Sequence, residues 1–132
     1  MTDIFGLLKG KPEDSDYDNK GVIVQGITGA YGSLHAKQMI SYGTNVVAGV
    51  TPGKGGQKFE DKVPVYNTMQ EAVDATNAKI SIVFVPAKFF LSAAKDALNA
   101  GIKLLVAIPE HVPIRDTMEA LDLANKKGAV II

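Results

Sequence analysis

The chain has 132 residues, 46% of them apolar and 21% charged, the balance of a soluble globular domain and too short for two domains of ordinary size. Fourteen Lys plus Arg stand against fourteen Asp plus Glu, so no basic field is available to hold a nucleic acid or an anionic membrane. The absence of cysteine excludes disulfides and thiolate sites, no apolar run reaches the roughly 18 residues of a membrane span, and no signal-peptide pattern is present, so a cytoplasmic protein is expected.

Residues 1–20 are expected to form a flexible N-terminal tail, because residues 12–20, PEDSDYDNK, are acidic and carry no apolar period. The domain is then expected to occupy residues 21–132. Residues 22–25 read as an apolar strand, followed by a glycine turn and a helix over 33–42 with Ala36, Met39 and Ile40 along one face. A second strand follows over 45–50. A short third strand over 63–66 contains Pro64, which a sheet edge tolerates. Thr68 begins a helix, and Glu71 stands where a capping box needs it. Residues 80–85 form a fourth strand, rich enough in β-branched and aromatic residues to be buried on both faces.

A helix over 89–100 ends at Gly101, with Phe89, Phe90 and Leu98 expected in the core. Residues 103–108 repeat the buried-strand signature. The helix over 114–127 is expected to turn Met118, Leu121 and Ala124 inward and to stop at Gly128, before a last strand over 129–132. Strands separated by single helices imply an α/β fold, a doubly wound parallel sheet of the Rossmann-like kind, with strand order 3-2-1-4-5-6.

In such a sheet ligands lie beyond the carboxyl ends of the strands, where the strand order reverses. The first turn there spaces Gly26, Gly29 and Gly32 as G-x-x-G-x-x-G, one residue off the dinucleotide fingerprint. Backbone N–H groups of residues 28–32 would face an anion. The plainer alternative is a tight turn that packs helix on sheet. A nicotinamide-binding domain carries an acid roughly 20 residues further on to hold ribose hydroxyls. Here that place reads GVTPGKGG, without an acid and with Lys54, a point charge suited to phosphate. Coenzyme A, with its 3′-phosphate, fits that loop, as would the 2′-phosphate of NADP; a merely solvated surface lysine is the alternative.

Pro86 and Pro109 end the fourth and fifth strands and shape a crevice wall. Glu110, the only acid expected at the crevice, either caps the next helix or accepts a hydrogen bond from ligand. His35 is expected on the surface or in packing, and His111 nearer the ligand. Neither has partners at a spacing that makes a catalytic triad or a metal site, so no catalytic or metal-binding residue is assigned.

Taken in order, QGITGAYGSLH, GVTPGKGG, PVYNTMQEAV, VFVPA and AGIKLLVAIPEHVP resemble the N-terminal coenzyme A-binding domain of succinyl-CoA synthetase α subunits, with ATP-citrate lyases as relatives. The resemblance runs over residues 21–132. It implies that Thr28, Gly29, Ala30 and Tyr31 line the coenzyme A phosphates and that Lys54 pairs with the coenzyme. It also implies that Ile108, Pro109 and Glu110 contact it from the fifth strand, with Val85 and Pro86 bordering the groove.

In that family the whole enzyme joins a carboxylic acid to coenzyme A with ATP or GTP, through an acyl phosphate and a phosphorylated histidine. That histidine lies in a second α-subunit domain, and a β subunit holds the nucleotide. The chain stops just ahead of the Gly-Pro-Asn that the family usually carries, which implies an excised domain or a short relative. Alone, it is expected to bind coenzyme A or an acyl-CoA without catalysing. The runner-up is a standalone NAD(H)- or acyl-CoA-sensing regulator of the same fold, and a dehydrogenase domain is disfavoured by the missing acid. Pairing of an open last strand with its copy makes a homodimer a further expectation.

Overall fold

Seven short strands are joined by helices in a computed structural model that describes residues 21–109 and 111–132. The strands are β1 (Val22–Gln25), β2 (Val46–Val50), β3 (Lys58–Phe59), β4 (Val63–Tyr66), β5 (Ile80–Val83), β6 (Leu104–Ala107) and β7 (Val130–Ile131). The helices are α1 (Ala30–Ser41), α2 (Met69–Thr76), α3 (Phe90–Asn99) and α4 (Ile114–Lys127), with a 3₁₀ turn at Ala87–Phe89 ahead of α3. The tail expected over residues 1–20, and Glu110, lie outside the described residues.

The sheet order is β3-β4-β2-β1-β5-β6-β7, and every pairing is parallel except β3 with β4. Without β3 this is the order expected for a doubly wound sheet, with its reversal between β1 and β5. The antiparallel edge strand was not anticipated. Its hairpin turns through Glu60 and Asp61, at φ 53° and 57°. Two successive left-handed residues are what a tight hairpin needs, but Asn-Gly or Asp-Gly is the pair that advertises it. An exposed ion pair from Lys37 to Glu60, 3.2 Å, links this hairpin to α1.

Alternation along the strands builds a core on each face. Ile23, Ala48, Val83 and Leu105 point to the side covered by α2, α3 and α4, while Val22, Val24, Ile80 and Ile82 meet Ala36 of α1 on the other. Two polar side chains are buried among them. Ser81 Oγ donates to Gln25 Oε1 at 2.7 Å, and Gln25 Nε2 donates to the Ala93 carbonyl of α3 at 2.9 Å. Each is thereby satisfied, as burial requires.

The inward face of α4 differs from expectation. Met118 is 65% exposed and Leu121 48%, while Ala120 and Ala124 are buried. Alanines let the helix lie close against its neighbours, which bulky side chains in their place would prevent. Phe89 is also exposed, whereas Phe90 and Leu98 are buried as expected. Successive residues on a helix point to different faces, so Phe89, at the end of the 3₁₀ turn, does not share the buried face of its neighbour Phe90.

Candidate functional site

A two-lobed groove crosses the carboxyl ends of the strands where their order reverses. The first lobe, about 800 Å³, is lined by Gln25 and Thr28 of β1 and its turn, by Thr51 after β2, and by the start of α2 and one face of α3. The second, about 590 Å³, is walled by Tyr31, His35, Ile108 and Pro109. Gly29, Phe84, Val85 and Pro86 line both. Thr28, Gly29, Ala30, Tyr31, Val85, Pro86, Ile108 and Pro109 are therefore all brought to one groove.

The three turn glycines have different causes. A Cβ on Gly32 would lie 2.0 Å from the Gly26 carbonyl oxygen, so Gly32 permits α1 to press against the turn. Gly26 has φ +84°, where a side chain is strained. Gly29 has neither excuse. Its φ is −72°, and an added Cβ would meet nothing closer than the Gly26 oxygen at 3.4 Å. It occupies the N-cap of α1, makes no side-chain cap, and is followed by no acid in the first turn. The first-turn N–H groups, which no helix can satisfy internally, thus open on the groove without a side chain over them.

Lys54 is exposed and lines neither lobe. Its loop is more ordered than glycine content alone suggests. Lys54 N donates to the Thr51 carbonyl at 3.0 Å across Pro52 and Gly53, with Gly53 at φ +84°, the pattern of a type II turn. Gln57 N then reaches the Lys54 carbonyl at 3.4 Å with Gly56 at φ +92°. Lys54 is the residue the two turns share. Asn67 Oδ1 accepts from Gly53 N and Gly55 N, both at 2.9 Å, and Thr28 Oγ1 donates to Thr51 Oγ1 at 3.1 Å. The β1 and β2 turns are thus joined at the rim of the first lobe.

His35 faces the groove rather than bulk solvent. Its ring stacks on Phe84 (centroids 5.1 Å, planes 5° apart) and under Tyr31 (6.1 Å, 11°), which makes a three-ring wall for the second lobe. His111 is exposed, has φ +61° and lines neither lobe. Among the described residues no group of three His, Asp or Glu could hold a metal ion, and no helix is long and apolar enough to cross a membrane.

One acid at the groove escaped sequence reasoning, which had named Glu110 alone. Asp96 lines the first lobe from α3, together with Ser92 and Asn99. Their spacing of four and three residues along a helix was the available signal; attention to strand ends passed over it.

The model of the CoA binding domain matches residues 17–111. The α subunit of ADP-forming succinate–CoA ligase from Aquifex aeolicus is 56% identical over 113 residues, covering 84% of this chain and 37% of its own length. The corresponding subunit from Methanothermobacter thermautotrophicus is 49% identical over 113 residues, covering 83% and 37%. The chain thus spans a little over a third of the curated relatives it matches. Among solved structures, ATP citrate lyase from Methanothrix soehngenii, in complex with citrate and coenzyme A, superposes with a TM-score of 0.74 at 22% identity, over 86% of this chain and 20% of that one. At that identity the likeness speaks for the fold.

Proposed function

The chain belongs to the CoA-binding domain family, and on that premise we propose that its groove holds coenzyme A, with the diphosphate at the start of α1 and the 3′-phosphate toward Lys54. The observation that carries this reading is Gly29. Neither packing nor backbone conformation demands glycine there, and its bare N-cap leaves backbone donors for an anion. The carboxylate-free loop around Lys54 supports a ligand with a further phosphate in preference to one gripped by its ribose hydroxyls. The residues proposed to touch it are Thr28, Gly29, Ala30, Tyr31, Lys54, Val85, Pro86, Ile108, Pro109 and Glu110.

The similarity to succinate–CoA ligase α subunits supports a wider role as the coenzyme A-holding part of an acid–CoA ligase. A β-type subunit is the proposed partner, and the reacting acyl group would be handled outside this chain. No side chain of the groove is assigned a step in bond making. Its work is to bind and orient.

Titration calorimetry with coenzyme A, dephospho-coenzyme A and NAD tests the reading. Coenzyme A should bind tightest, and Lys54→Ala should remove most of its advantage over dephospho-coenzyme A. Tighter binding of NAD would overturn the assignment.

A further inference from the structure

Lys54 sits on a loop whose shape is held from outside the glycine-rich segment. Each of the two turns that share it contains an N–H group next to Lys54 in sequence, Gly53 N in one and Gly55 N in the other, that ends on Asn67 Oδ1 at 2.9 Å. Asn67 lies in the connection between β4 and α2, and its neighbour Thr68 caps α2. The loop is also tied to β4, by Thr51 N to the Tyr66 carbonyl at 3.1 Å and Gly56 N to the Val65 carbonyl at 3.0 Å. These bonds fix the two ends of the loop; the Asn67 bonds fix its tip. Gly55 is shaped to the same contact, since a Cβ there would fall 2.6 Å from Asn67 Nδ2.

We propose that Asn67 is the positioning residue for Lys54, and that by holding N–H groups on either side of it the amide sets how well the chain distinguishes a ligand with a 3′-phosphate from one without. This deepens the assignment of Lys54 to that phosphate and rests on it. A lysine on a free loop must give up backbone as well as side-chain freedom when it meets an anion. Here the backbone is ordered in advance. Only the flexible stem of Lys54 remains to be fixed, so more of the charge interaction is left as affinity. Dephospho-coenzyme A, which offers Lys54 no such phosphate, gains nothing from that order.

The test uses the full chain, with calorimetric affinities for coenzyme A and dephospho-coenzyme A and amide hydrogen exchange at Gly53 and Gly55. Asn67→Ala should weaken coenzyme A about three- to tenfold, the cost of ordering one flexible group, leave dephospho-coenzyme A within about twofold, and unprotect both amides. Gly55→Ala, which displaces the amide while leaving Asn67 in place, should reproduce the loss of discrimination. Asn67→Asp keeps an acceptor for both N–H groups and should restore their protection.

If Lys54→Ala lowers the ratio of the two affinities but Asn67→Ala does not, the positioning role is overturned while the Lys54 assignment stands. If Lys54→Ala leaves the ratio unchanged, both are overturned. Equal weakening of both ligands by Asn67→Ala overturns the proposal as well, because it would mark general damage to the groove.

Discussion

Helices α1 and α2 both begin beyond the carboxyl end of a strand and both open on the first lobe, yet they treat their free N–H groups in opposite ways. At α2 the Thr68 hydroxyl oxygen accepts from Glu71 N at 3.2 Å, and the same hydroxyl donates to Glu71 Oε1 at 3.2 Å. The terminus is satisfied from within, and an acid already answers the dipole. At α1 Gly29 supplies no side chain and the first turn no acid. One terminus is finished by the chain itself. The other is left open on the groove, where the proposed diphosphate would finish it.

Giving α1 the cap that α2 has should break this contrast most sharply. Gly29→Asp has room for its Cβ. Its carboxylate would occupy the first-turn donors and repel phosphate, so coenzyme A affinity should fall on the order of tenfold to a hundredfold while the free chain gains about 0.5 kcal/mol. Calorimetry and thermal unfolding read the two effects, and their opposite signs are the point. Loss of stability together with affinity would contradict the account of Gly29.

Taking the cap from α2 should do the reverse. Thr68→Ala should cost about 1 kcal/mol of stability, seen in chemical denaturation, where Gly29→Asp adds to it. A third substitution tests whether such effects are confined to the termini. Met118→Gln, on the exposed face of α4, should change stability by less than about 0.5 kcal/mol. A larger loss would return Met118 to the core where hydropathy had put it.

Several of these features were legible before any coordinates. Alternation of apolar runs with helical periods led to a parallel sheet and its strand order, because β1 and β5 are continuous buried runs and every parallel crossover except that from β2 to β4 carries a helix. Thr68 and Glu71 announced their cap through spacing alone. The misses have particular causes. On α4, volume outweighed hydropathy, since Ala120 and Ala124 allow close approach and Met118 does not. In the β3 hairpin, Asp61 is a residue that tolerates a left-handed backbone angle, but Glu60 beside it adopts one that its chemistry does not advertise. On α3 the spacing of Ser92, Asp96 and Asn99 announces a shared polar face, but that this face walls the first lobe depends on how the helix lies over the strand ends. The amide of Asn67 was likewise hidden, being more than ten residues from either N–H it accepts.

The Gln25–Ser81 contact has a bearing on assembly of the sheet. The two side chains come from neighbouring parallel strands and reach a carbonyl on the helix above, so they agree with only one alignment of β1 against β5. A slip by one residue would send the glutamine amide to the opposite, apolar side, stripped of both partners. Hydrocarbon neighbours would tolerate many offsets, whereas this pair rejects them, acting as a proof-reader of strand alignment directly beneath the floor of the groove.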